Sequence, residues 1–303
     1  MTTLRRVGAW RRCPAGLSLR LVIGFAALGF TTLAPSAPSH AAANRNAPRQ
    51  VRIGKWEIAI SHSADGESGT TDTLRIARRD QPESAAWTLS DQTIYLGPRE
   101  PGPRTVPAGT DMNGNGIPDL VVSSYSGGSM CCSSIYVLEL SDTVRVLAHW
   151  QMEKGAVVAV HGLDRDGKAE LVVAESLDAA DTPCSHAATP GGRVVLSWRD
   201  GRFCPVPELM RAAPDPKWWR LLPAVQESTA EPGGSQVGWA PCEAWQAVVG
   251  YIYTGNAAMA ARFVSAAWPW YDLSGVVFLL ELRELLQRRL MTECQRPTLA
   301  IED

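Results

Sequence analysis

The stretch Asp111-Met112-Asn113-Gly114-Asn115-Gly116-Ile117-Pro118-Asp119, running straight into Leu120-Val121-Val122, decides how the chain is read. Oxygen-bearing side chains stand at its positions 1, 3, 5 and 9, a glycine at position 6 lets the backbone turn, and the Ile117 carbonyl falls at position 7. A hard cation that takes six to eight oxygen ligands is served by this pattern, which points to calcium. A turn that holds no ion uses the same residue types. An EF-hand opens in the same way but needs a Glu at position 12 between two helices. Position 12 here is Val122, inside an apolar run that reads as a strand, so the loop is not an EF-hand.

A second copy lies 51 residues on: Gly162-Leu163-Asp164-Arg165-Asp166-Gly167-Lys168-Ala169-Glu170, again entering a Leu-Val-Val strand at Leu171. Asp164, Asp166 and Glu170 match Asn113, Asn115 and Asp119, and the Lys168 carbonyl matches that of Ile117. Gly162 replaces the first ligand, and Arg165 and Lys168 add positive charge, so the first loop carries the fuller ligand set. With only two carboxylates it is expected to bind calcium weakly, in the range of about 10⁻⁴ to 10⁻³ M typical of extracellular modules.

Together the two loops resemble the FG-GAP or VCBS repeat, the integrin-alpha-type calcium loop that leads into a strand of a β-propeller blade. The resemblance covers roughly residues 105–203, about a third of the chain. It implies calcium as the bound ion and four-stranded blades as the architecture. Complete propellers have typically four to eight blades, whereas residues 49–206 have room for about three. The expectation is an incomplete propeller: either the sheets stack openly, with the helical tail covering an edge, or the chain forms a shortened version of the architecture.

Outward from the loops, short alternating or β-branched runs separated by Gly, Pro, Asn and Asp fill residues 49–206, the pattern of antiparallel strands. Asp200-Gly201 between two such runs is a hairpin turn signal. After Cys204 the prolines Pro205, Pro207, Pro214 and Pro216 and the triplet Pro232-Gly233-Gly234 mark a linker. Beyond it the apolar spacing becomes helical: Trp245, Val248, Val249, Ile252; then Ala260, Phe263, Val264, Ala267; then Leu279, Leu282, Leu286, Leu290. The first two of these helices resemble a tetratricopeptide-type pair over about 30 residues, and a three-helix bundle fits the same spacing.

The fold class is therefore mainly β with an α-helical C-terminal domain: about three propeller-blade-like antiparallel repeats and a three-helix tail. The domains are a signal peptide at 1–41, a β-repeat domain at 42–206, a Pro/Gly-rich linker at 207–241 and a helical domain at 242–303.

Residues 1–41 carry five arginines and no acid, an apolar run from Leu21 to Ala34, and then Ser39-His40-Ala41. That order reads as a cleaved secretory signal, and the run falls short of the roughly 20 residues that cross a bilayer. The expectation is a periplasmic or secreted protein with no membrane span after signal removal. The whole chain of 303 residues has 29 basic and 31 acidic residues, so the remainder is acidic and has no basic stripe of the kind that nucleic acid requires. Six cysteines remain: Cys131, Cys132, Cys184, Cys204, Cys242 and Cys294. An even number in an oxidising compartment favours disulfides, with fifteen pairings open. Chain order suggests Cys242–Cys294, Cys184–Cys204 and a vicinal Cys131–Cys132. Zinc on Cys131, Cys132, Cys184 and His186 is the competing reading, although their spacing fits no familiar ligand frame.

No Gly-x-Ser-x-Gly elbow, His-Glu-x-x-His helix or phosphate-binding glycine loop is present. Cys184-Ser185-His186 as a thiol nucleophile competes poorly with a disulfide. Asp164, Asp166 and Glu170 as glycosidase carboxylates compete with their metal reading. The sequence points to a non-catalytic calcium-binding module for a protein or polysaccharide partner. A hydrolase with an unrecognised site is the alternative.

Overall fold

In this computed structural model the described residues are 50–65, 69–99, 104–127, 132–164, 166–230, 240–268, 273–289 and 294. The signal segment, Cys131, Arg165 and Pro232-Gly233-Gly234 lie outside them.

Among the described residues twelve strands form three four-stranded antiparallel sheets, each a simple meander. The first sheet holds β1 (Gln50–Ile53), β2 (Trp56–Asp65), β3 (Gly69–Arg78) and β4 (Gln81–Asp91). The second holds β5 (Thr93–Leu96), β6 (Asp119–Tyr125), β7 (Ser133–Leu140) and β8 (Val144–Met152), and the third β9 (Gly155–His161), β10 (Glu170–Ser176), β11 (Gly191–Arg199) and β12 (Arg202–Pro205). No sheet closes into a barrel among the described residues. Tight turns set the register: Arg199 faces Arg202 across Asp200-Gly201, both at positive φ, as a two-residue hairpin turn requires.

Both sequence loops fall at the same place in their sheets, between the first and second strands: the long β5–β6 connection carries the first, and the short β9–β10 connection the second. The Leu-Val-Val runs that follow lack polar alternation because both faces are buried. Leu120 and Val122 pack on the first sheet with Ile58, Leu74 and Ile76, and Val121 packs on the opposite side into the core shared with the third sheet. Trp56 adds a cross-sheet tie, its indole N–H donating to the carbonyls of Leu140 and Ser141 at 3.1 and 3.0 Å.

Among the described residues six helices follow: α1 (Pro207–Met210), α2 (Pro216–Trp219), α3 (Leu222–Ala230), α4 (Cys242–Tyr253), α5 (Ala257–Ala267) and α6 (Ser274–Leu286). This corrects the three-helix tail, since the stretch expected as a linker holds three of them. Pro207 and Pro216 begin helices rather than break them, because the first helical position has no use for the missing N–H. Asp215 caps α2 by accepting the Lys217 N–H at 2.9 Å. In α5 the anticipated face, Ala260, Phe263, Val264 and Ala267, is the buried one. In α6, Phe278, Leu282, Leu285 and Leu286 are buried while Leu279 is exposed. Arg288, just past α6, lies 4.0 Å from Asp181.

The helices and the third sheet share one core, and the described residues form a single compact unit. Tyr253 of α4 donates its hydroxyl to the buried Glu175 of β10 at 2.7 Å. Beside it Gly192 of β11 lets the ring approach, for a Cβ there would lie 2.4 Å from the Tyr253 side chain. Two disulfides fasten the same junction: Cys184–Cys242 ties the β10–β11 connection to the start of α4, and Cys204–Cys294 ties β12 to the chain beyond α6. The Cys242–Cys294 and Cys184–Cys204 pairings drawn from chain order are thereby corrected, and the Cys131–Cys132 pairing lies outside the described residues. Cysteines that bracket a segment in sequence instead reach across the sheet–helix interface. Cys132 is also disulfide-bonded. No helix among the described residues is long and apolar enough to cross a membrane.

Candidate metal centre

The two loops share a hydrogen-bond scheme residue for residue. Asn113 Oδ1 accepts the Asn115 N–H at 3.0 Å, and Asp164 Oδ1 accepts the Asp166 N–H at 3.1 Å. Asn115 Oδ1 accepts from Ile117 at 2.9 Å, and Asp166 Oδ1 from Lys168 at 2.8 Å. Asp119 Oδ2 accepts the Met112 N–H at 2.8 Å, and Glu170 Oε2 accepts that of Leu163. In both loops the remaining oxygen of the last acid, Asp119 Oδ1 and Glu170 Oε1, is buried without a hydrogen-bond partner. Gly116 and Gly167 both sit at positive φ, where only glycine is unstrained.

The chemistry of the loops then diverges. In the first loop, Asp111 is engaged by its own backbone: Oδ1 accepts from Gly114 and Asn115 at 2.7 and 3.3 Å, and Oδ2 from Gly116 at 2.7 Å. Asn113 and Asn115 turn their amide nitrogens to Glu139 Oε2, at 3.2 and 2.6 Å. Arg145 grips the same carboxylate through Nε and one terminal nitrogen, which donate to Oε1 and Oε2 at 3.1 and 2.9 Å. Arg145 hydrogen bonds hold the Glu139 carboxyl below its ordinary range, with both amides helping. Side chains thus close this loop from within.

In the second loop, the carboxylate oxygens of Asp164, Asp166 and Glu170 lie within 4.8 Å of one another, the first two exposed and the third fully buried. Among the described residues no Lys or Arg pairs with them. Lys168 sends its ammonium to the Trp198 carbonyl at 3.5 Å, and its side chain lies against Gly114, where a Cβ would come within 3.1 Å. The loops are therefore neighbours. Burial raises the Glu170 pKa, and the charges of Asp164 and Asp166 raise it further. Burial lifts Asp119 to about 6, with Asp111 and Glu139 adding to the rise.

Of the residues singled out in the sequence, the structure gathers Asp164, Asp166 and Glu170, with Lys168 beside them, into a carboxylate cluster. It places Asp111, Asn113, Asn115, Ile117 and Asp119 in a loop of the same shape, in which the side chains of Asp111, Asn113 and Asn115 are engaged within the protein and Asp119 Oδ1 is left without a partner. Glu139 and Arg145 were missed, because only strand register reveals them: Glu139 stands directly opposite Asp119. The same step in the third sheet, one place on from Leu171 opposite Leu196, reaches Ser197, which carries no charge. The zinc reading and the thiol-nucleophile reading both lose Cys184 to its disulfide. Comparisons with family models, with curated proteins and with solved structures find no match.

Proposed function

We propose that this is an exported, non-catalytic β-repeat module of the FG-GAP or VCBS kind, whose three meander sheets act as blade-like units and whose second loop holds a calcium ion. One observation carries the metal reading. Three carboxylates each bring an oxygen within 4.8 Å of the others, and the buried member, Glu170, keeps one oxygen, Oε1, without a partner, an arrangement that repels itself until a cation joins it. Asp164, Asp166 and Glu170 supply the side-chain oxygens and Lys168 the backbone carbonyl. The first loop is the vestigial copy, with Glu139 and Arg145 doing internally what an ion does next door. The ion's role is to fix the loop ahead of β10 and thereby the face that a partner meets. The disulfides support a periplasmic or secreted setting. The exposed Leu273, Val276 and Leu280 on one side of α6 support a protein partner over a polysaccharide.

Calcium calorimetry on the protein and two variants tests this. Asp166→Asn is expected to weaken binding at least about tenfold, since affinity follows the carboxylate count, and Asp111→Ala to leave it unchanged. Equal heats from the protein and Asp166→Asn would refute the assignment.

A further inference from the structure

A cavity of about 160 Å³ lies where the first strands of all three sheets come together. Val51 of β1, Leu96 of β5 and Val160 of β9 line it, joined by Val121 of β6 and by Val106 and Met112 of the β5–β6 connection. Enclosed apolar cavities of about 150 Å³ take up benzene-sized molecules, and this one, partly open at Pro107 and Ala108, is of similar size. This one differs from a packing defect in two of its three polar side chains, since the third, Thr110, donates to the Pro107 carbonyl. Thr105 and Asp119 both line it, and each holds a buried oxygen, Oγ1 and Oδ1, with no hydrogen-bond partner. Buried polar atoms are otherwise satisfied almost everywhere in folded proteins.

Asp119 is 2% exposed, and its orientation is fixed through Oδ2 by the Met112 N–H. That leaves Oδ1 as an acceptor at the edge of an apolar chamber. A carboxylate there repels an anionic head group, and low polarity strengthens its attraction for a cationic one. Glu170, in the matching position of the third sheet, joins Asp164 and Asp166 instead and lines no part of the cavity.

We propose that this cavity is a binding site for a small, mainly apolar amine, with the ammonium on Asp119 Oδ1 and Thr105 Oγ1 and the body against Val51, Leu96, Val121 and Val160. The proposal rests on the first loop being closed by its own side chains, which leaves Asp119 outside the ion site.

The test is calorimetry and thermal unfolding of the purified protein in chelator, with n-pentylamine, n-pentanol and pentanoate as probes. Pentylamine is expected to bind at least tenfold more tightly than pentanoate and to raise the Tm. Asp119→Asn should lower that affinity at least tenfold. Val51→Phe, which fills the chamber without touching the carboxylate, should abolish pentylamine binding and retain the calcium heat. Equal binding of pentanoate, no binding of any probe, or unchanged binding by Val51→Phe would each overturn the proposal. Displacement of pentylamine by calcium would hand Asp119 to the ion and overturn it as well. Asp166→Asn, which tests the ion site alone, should leave pentylamine binding as it was, so the two readings fail separately.

Discussion

Asp119 and Glu170 are structural equivalents 51 residues apart. Each opens the second strand of its sheet, accepts the N–H of the residue seven places earlier, and keeps its other oxygen buried without a partner. What separates them is the company they keep. Asn113 and Asn115 bring amide donors that a neighbouring carboxylate, Glu139, can accept, whereas Asp164 and Asp166 bring acceptors only. A loop of donors and acceptors closes on itself, and a loop of acceptors calls for a cation.

Removing the acceptor of the first loop should therefore cost stability and spare the ion. In Glu139→Ala the amides of Asn113 and Asn115 lose their partner, and Asn113 is buried. A loss of about 1–3 kcal/mol is expected from urea unfolding, with calcium affinity unchanged.

In the second loop the sign reverses. With chelator present, Asp166→Asn relieves repulsion among three clustered carboxylates and should raise stability by about 1 kcal/mol, the scale of unit charges near 4 Å in water. The same variant should lose the rise in Tm that calcium is expected to give the unaltered protein. Thermal unfolding with and without calcium reads both effects.

Acid should first help and then harm the ion-free protein. The folded pKa values of Asp119, about 6, and of Glu170 lie above their ordinary values. Between those and the ordinary carboxylate range near 4 the folded state binds more protons, so stability rises as the pH falls. Glu139 is depressed and works the other way, its contribution being lost as the pH drops through its lowered pKa. A Tm maximum on the acid side of neutrality is expected in chelator. With calcium present protons compete with the ion, and the Tm should fall over the same interval.

The Cys204–Cys294 bridge closes a separation of 90 residues and joins β12 to the chain beyond α6. Replacing both cysteines by serine should cost about 4 kcal/mol, the scale for loops of that length. Denaturant unfolding monitored by tryptophan fluorescence checks it, and a loss below 1 kcal/mol would show that the helices hold the sheet unaided.

Much of the architecture could be read from local patterns. The Asp200-Gly201 hairpin, the paired loops and the buried face of α5 all rest on residues close in sequence. What escaped was set by contacts across the fold. Pro207 and Pro216 read as breaks because a helix's first position is known only once the helix is seen. The disulfide partners lie on different layers. Glu139 has no motif of its own, and without it the first loop reads as the fuller ion site although its donors are already matched.

The most direct test is anomalous diffraction from crystals grown with calcium. The account predicts a peak among Asp164, Asp166 and Glu170, with Asn113 and Asn115 still bonded to Glu139. A peak at Asp111 with the second loop empty, or no peak in either loop, would contradict it.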